Sequence, residues 1–162
     1  MTGCVVVMGV AGSGKSTVGA ALADRLGWTF LDADDFHPAA NVDKMRRGEP
    51  LEEADRSPWL GRLNQVLRSH VDRGDDVVLA CSALTRSARG RLARGVAVRL
   101  VHLHVPREVL ATRLSERADH FMPAGLLDSQ LDTLEVPGPD EALVVDADRP
   151  LDAVVDDIVA RR

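Results

Sequence analysis

The run Gly9-Val10-Ala11-Gly12-Ser13-Gly14-Lys15-Ser16-Thr17 restricts what this chain can become more than any other stretch. It matches the pattern G-x-x-x-x-G-K-[ST]. It follows an apolar run, Cys4-Val5-Val6-Val7-Met8, and enters a segment with helical spacing. A strand, a glycine-rich turn and a helix in that order build an anion site, because the glycines let the backbone curl with its N–H groups inward at a helix N-terminus. Gly9, Ala11, Gly12, Ser13, Gly14 and Thr17 then form the cradle for the phosphates of ATP. Lys15 reaches the β- and γ-phosphates, and the Ser16 hydroxyl is a ligand for Mg²⁺. Lys15 and Lys44 are the only lysines in a chain crowded with arginine. Lysine is kept where a compact ammonium on a thin stem fits and a planar guanidinium does not.

Beyond the loop, strand and helix signals alternate. Strands are expected at Cys4–Met8, Trp28–Leu31, Val77–Cys81, Val98–Val105 and Ala142–Val145. The first helix runs from the loop to Leu26, with Gly27 as its C-cap. Further helices are expected from Pro38 to about Gly48, from Ser57-Pro58 to Arg73, over Thr85–Arg94, from Arg107 to Arg117, from Pro123 to Leu134, and after Pro150. Alternation with short links predicts an α/β fold: a three-layer α/β/α P-loop NTPase fold with a five-stranded parallel sheet and a small helical lid at roughly residues 117–123. The length suits one domain over residues 1–162. Ligands in such a sheet sit at the carboxyl ends of the strands.

Composition narrows the class. A net charge of −5 and a pI near 5.5 leave no basic stripe for nucleic acid. The absence of Tyr and an aromatic content of 3% leave few bases-stacking platforms. Cys4 and Cys81 each sit in an apolar run and read as buried free thiols of a reducing compartment. No apolar run is long enough for a membrane span, and the immediate entry into a strand leaves no room for a signal peptide. The expected location is the cytoplasm.

Two constellations carry further chemistry. Asp32 and Asp34 lie two apart at the end of the second strand, where extended backbone turns both carboxylates to one face. No Asp closes the Val77–Cys81 strand, so Asp32 is the candidate support for Mg²⁺. Asp34 is the candidate to orient and deprotonate an acceptor hydroxyl. A solvated loop or a helix cap is the plainer reading of the pair. Arg113 and Arg117 are four apart on one helix face, followed by the short segment Ala118-Asp119-His120-Phe121-Met122. Arginines closing over transferring phosphates, with water excluded, would use this arrangement; a solvated face paired with Glu116 or Asp119 is the alternative. His102 and His104 alternate on a strand without a third metal ligand nearby and read as satisfied strand histidines. The arginines between Arg86 and Arg99 read as a solvated helix face.

The chain resembles the gluconokinases, small phosphate-loop sugar-acid kinases related to shikimate and nucleoside-monophosphate kinases, over nearly its whole length. The resemblance is carried by the phosphate loop, by Asp32-Ala33-Asp34-Asp35-Phe36-His37-Pro38, Asn41, Lys44-Met45 and Gly48-Glu49-Pro50-Leu51. It continues through Asp55-Arg56-Ser57-Pro58-Trp59-Leu60 and Cys81-Ser82-Ala83-Leu84, and ends with His120-Phe121-Met122, Gln130, Thr133-Leu134-Glu135 and Val145-Asp146. It implies transfer of the γ-phosphoryl group of ATP to the 6-hydroxyl of D-gluconate, with Mg²⁺, a moving lid and a homodimer. By the same resemblance Asp34 contacts the reacting hydroxyl beside Lys15 and Arg117. Arg56 and Arg89 grip the gluconate carboxylate, and His37 and His120 bind the sugar acid. Arg113 belongs to the nucleotide side, and Asp146 to Pro150 lie beside the adenine. One departure is visible: family members usually carry Lys directly after C-S-A-L, and this chain has Thr85 followed by Arg86.

Three rival readings remain at this point. One is a kinase of the same build for shikimate or another aldonate. The second is a nucleotide-binding regulatory module, and the third a nucleic-acid end kinase. A hydrolytic switch has no use for a second carboxylate aimed at an acceptor alcohol, so Asp34 separates the regulatory module from the kinases.

Overall fold

The computed structural model describes residues 3–116 and 125–162. The segment read as a lid, with Arg117 and His120, lies outside the described residues. Five strands, β1 (Cys4–Met8), β2 (Thr29–Asp32), β3 (Val77–Ala80), β4 (Arg99–His104) and β5 (Ala142–Asp146), form one all-parallel sheet in the order β2-β3-β1-β4-β5. β1 lies in the middle, and every one of its residues is buried, as its unbroken apolar sequence demands of a strand covered on both faces.

The period of two sorts β1 between two cores. Val5 and Val7 point to the face covered by α1 (Lys15–Leu26), α5 (Arg107–Ser115), α6 (Gly125–Thr133) and α7 (Leu151–Arg161), where they meet Val18, Leu22, Leu110, Leu127 and Ile158. Cys4, Val6 and Met8 point to the other face, under α3 (Glu53–Asp72) and α4 (Arg86–Leu92), with Trp59, Leu63, Leu67 and Leu92. Each fully buried leucine there contributes about 1.5–3 kcal/mol of transfer free energy. The helix α2 (Ala39–Arg46) stands at the carboxyl end of the sheet beside the start of α3. Among the described residues no helix is long and apolar enough to cross a membrane.

Element boundaries follow local chemistry. Gly27 ends α1 in the left-handed conformation (φ 71°), with its N–H on the last-turn carbonyls. Sequence reading opens α3 at Pro58, by the rule that proline suits a first turn, but the helix begins at Glu53 and Pro58 lies inside it. The cause is Asp55, whose Oδ2 accepts the Glu52 N–H at 2.8 Å and so caps the helix upstream of the proline. Thr85, which departs from the gluconokinase pattern, has a plain local role: its Oγ1 accepts the Ala88 N–H at 3.0 Å and caps α4. Cys4 and Cys81 are free and buried, and burial pushes their thiols up to about 11 and about 12. His102 is buried with its Nδ1 lacking a hydrogen-bond partner among the described residues, so the reading of both strand histidines as satisfied fails at that atom.

Candidate active site

The loop after β1 turns on glycines that a side chain would spoil. Gly14, the N-cap of α1, sits at φ 93°. Gly12 sits at φ 84°, where an added Cβ would stand 3.3 Å from Leu114 Cγ. The loop therefore packs directly on α5. Arg113 of α5 tightens the junction, donating to Gly12 O at 3.0 Å and to Ala147 O at 3.2 Å, with Asp148 Oδ1 at 3.9 Å. One guanidinium thus holds the phosphate loop against the stretch from Asp146 to Pro150, which enters α7. Asp146 itself accepts the Asp148 N–H, and Pro150 is the N-cap of α7. Lys15 Nζ donates to Val10 O at 3.1 Å.

At the end of β2 the backbone leaves the sheet in a single 3-10 turn, Ala33–Phe36, with Asp32 as its N-cap. Asp32 does two things at once. Its Oδ1 accepts the Asp34 N–H at 3.0 Å, and its Oδ2 accepts the Ser16 hydroxyl at 2.6 Å. The helix-cap reading of the pair therefore holds for Asp32, which also touches the Ser16 hydroxyl beside the phosphate loop. Two hard oxygen donors, Ser16 Oγ and Asp32 Oδ2, converge beside the phosphate loop and suit Mg²⁺. Among the described residues no group of three or more His, Cys, Asp or Glu is arranged to hold a metal by itself.

Asp34 is exposed, and its Oδ1 lies 3.9 Å from His37 Nε2. His37 stacks on Trp59 with ring centroids 4.0 Å apart and planes inclined by 16°. The Trp59 Nε1–H donates to Ala33 O at 2.8 Å, which fixes α3 against the end of β2. Burial lowers the His37 pKa to about 4, so the ring is neutral at physiological pH. Arg56, one turn before Trp59, donates to Leu51 O at 2.6 Å and faces Glu53 at 3.7 Å.

These groups face one another across a cleft of about 300 Å³. One wall is the phosphate loop with Lys15, Ser16 and Thr17. The other carries Asp34, His37 and Arg56. Asp32 lies between them, and Ser129, Gln130 and Thr133 of α6 close one side. Sequence reasoning gave Gln130 no role, yet its Oε1 accepts the Ala11 N–H at 2.7 Å. The spacing of Gln130 and Thr133, three apart on one helix, was the available signal.

Arg89 does not join this assembly. It is 3% exposed, pairs with Glu141 Oε1 at 2.6 Å, and donates to Ala83 O and Glu135 O at 2.9 Å each. Its donors hold the link after α6 to the stretch after β3, and of the two candidate arginines only Arg56 lines the cleft. Ala83, whose carbonyl Arg89 holds, has φ 45°, a left-handed conformation rare for alanine.

Comparison with known proteins agrees with this geometry. A family model described as AAA domain matches residues 4–137. A gluconokinase of Gluconobacter oxydans (strain 621H) is 49% identical over 96% of this chain and 88% of its own length. The structure of a gluconokinase from Sinorhizobium meliloti 1021 is 43% identical, with a TM-score of 0.88 over 98% of this chain and 90% of that one. A sugar kinase structure from Janibacter sp. HTCC2649 superposes with a TM-score of 0.94 at 43% identity, over 99% of this chain and 94% of that one. Phosphate loop, paired aspartates and the His37–Arg56 lining occur together in a chain with this degree of likeness: it belongs to the gluconokinase family.

Proposed function

We propose that the chain transfers the γ-phosphoryl group of ATP to the 6-hydroxyl of D-gluconate, giving 6-phospho-D-gluconate and ADP. The observation that carries this reading is one cleft with a phosphate cradle on one wall and a carboxylate, an imidazole and a guanidinium on the other. The likeness to a gluconokinase at 49% identity supports the choice of acceptor.

Positioning does most of the work. Loop amides other than those of Ala11 and Ser13, which bond Gln130 Oε1 and Val10 O, hold the phosphates with the ammonium of Lys15, and Arg113 keeps the loop in place. Ser16 and Asp32 are the residues that would hold Mg²⁺, which neutralises charge on the β- and γ-phosphates when bound. Asp34 orients the 6-hydroxyl and takes its proton as the oxygen bonds to the γ-phosphorus and the bond to the ADP oxygen breaks. Arg56 pairs with the gluconate carboxylate, a planar partner for a planar fork. Arg117 and His120, outside the described residues, belong to the lid by family resemblance, and Asp146 to Pro150 border the adenine. The enzyme acts in the cytoplasm as a homodimer.

The test is ADP formation with Mg-ATP across gluconate, other aldonates, shikimate, simple sugars and water. Gluconate is expected to give the highest kcat/KM. Turnover independent of gluconate would favour the regulatory-module reading, and a preference for shikimate would overturn the acceptor. Light scattering of the full chain checks the dimer.

A further inference from the structure

Asn41 is 4% exposed and lies on α2, four residues after His37. Its Nδ2 donates to the backbone carbonyl of Asp55 at 2.9 Å and lies 3.2 Å from His37 Nδ1. A carbonyl oxygen only accepts, so the first contact fixes which end of the amide faces α3. The remaining amide hydrogen is then directed at His37 Nδ1. That nitrogen must carry a lone pair, and the proton of the neutral ring sits on Nε2.

His37 lines the cleft, and its Nε2 lies 3.9 Å from Asp34 Oδ1. This separation is too long for a direct hydrogen bond. It suits two groups reading one hydroxyl, whose oxygen accepts from Nε2–H while its hydrogen goes to the carboxylate. The opposite tautomer would set a lone pair against the carboxylate and leave the oxygen without a donor. An imidazolium would pair with Asp34 and blunt its basicity.

We propose that Asn41 is a positioning residue for the acceptor: by occupying Nδ1 it holds His37 as the Nε2–H donor that, with Asp34, reads an acceptor hydroxyl. The proposal deepens the gluconokinase reading and rests on it for the identity of that hydroxyl. Among the described residues, the charged groups sharing the cleft with His37 are Lys15 of α1, Asp32 at the end of β2, Asp34 in the turn after it, Glu49 before α3 and Arg56 within it. Burial, not any one of these charges, keeps the ring neutral.

The experiment combines imidazole proton–nitrogen NMR at pH 7 with steady-state kinetics, both on the full chain. His37 is assigned by loss of its signals in His37→Gln. The wild-type ring is expected in the Nε2–H form, a measurement that needs no substitution at Asn41. In Asn41→Asp the carboxylate accepts from Nδ1, and the ring is expected to turn to the Nδ1–H or doubly protonated form. KM for gluconate should then rise about tenfold with KM for ATP nearly unchanged. Asn41→Leu, which neither donates nor accepts, should give a mixed tautomer and an intermediate KM. A wild-type ring carrying its proton on Nδ1 overturns the proposal. So does an Asn41→Asp protein with an altered ring and an unaltered gluconate KM. An Nε2–H ring in a protein without gluconate-dependent ADP formation overturns the choice of gluconate alone and upholds the hold of Asn41 on His37.

Discussion

Gln130 Oε1 accepts the Ala11 N–H at 2.7 Å, joining α6 to the phosphate loop across 119 residues of sequence. Removing that acceptor should loosen the wall of the cleft and leave the Ala11 N–H of the loop without its partner. Gln130→Leu is expected to lower stability by about 0.5–1.5 kcal/mol. Gln130→Glu keeps an accepting oxygen but sets a negative charge beside the phosphate cradle. It should keep its melting temperature while KM for ATP rises about tenfold or more. Thermal unfolding and ADP-coupled kinetics separate the two outcomes.

Asp34 and Lys15 both line the cleft, Lys15 at the phosphate loop and Asp34 in the turn after β2. Asp34→Asn should therefore lower kcat by about 10²–10⁴ through loss of general-base action, with ATP affinity nearly unchanged by calorimetry. Lys15→Ala should damage nucleotide binding and turnover together. Lys15→Arg should not rescue it, because the guanidinium cannot occupy the place of a compact ammonium.

Arg89 is buried with Glu141 as its charged partner. Arg89→Met leaves that carboxylate facing an apolar side chain and two carbonyls without donors. A loss of about 3–5 kcal/mol in denaturant unfolding is expected. Arg89→Met/Glu141→Leu should recover part of it. The gluconate KM of whatever protein remains folded should stay close to wild type, because Arg89 does not line the cleft.

His37 couples stability to pH. Its folded pKa lies near 4 against an ordinary 6.5, so between those values the unfolded chain binds the proton that the folded chain refuses. Its contribution is complete above pH 6.5 and is lost as pH falls towards 4. His102, lowered in the same sense by its burial, adds to the trend. His37→Gln should flatten, without abolishing, the decline in melting temperature over that window.

Much of the fold is legible in the chain because parallel strands and the phosphate loop are written in local sequence. β1 falls at Cys4–Met8, as its apolar run requires, and Gly27 stops α1. The site is less legible. Ser16 and Asp32 are each suggestive, but their 2.6 Å contact depends on β2 standing beyond β3 from β1, which no local pattern states. Arg89 misled because the resemblance supplies a guanidinium for a substrate carboxylate, and nothing local in the sequence shows that it meets Glu141 instead. That partner lies 52 residues away. Gln130 and Asn41 are neutral amides that the resemblance names without a role, and their contacts exist only in the fold.

The alternation of β1 between two cores has an evolutionary consequence. The helices that serve the nucleotide, α1, α5, α6 and α7, pack on one side of the sheet, while α3, which carries Arg56 and Trp59, packs on the other. The two sets meet at the carboxyl edge. Mutations that retarget the enzyme to a new acceptor can accumulate in one layer while the ATP-handling layer keeps its packing. A lineage built this way can diversify its substrates without rebuilding its engine.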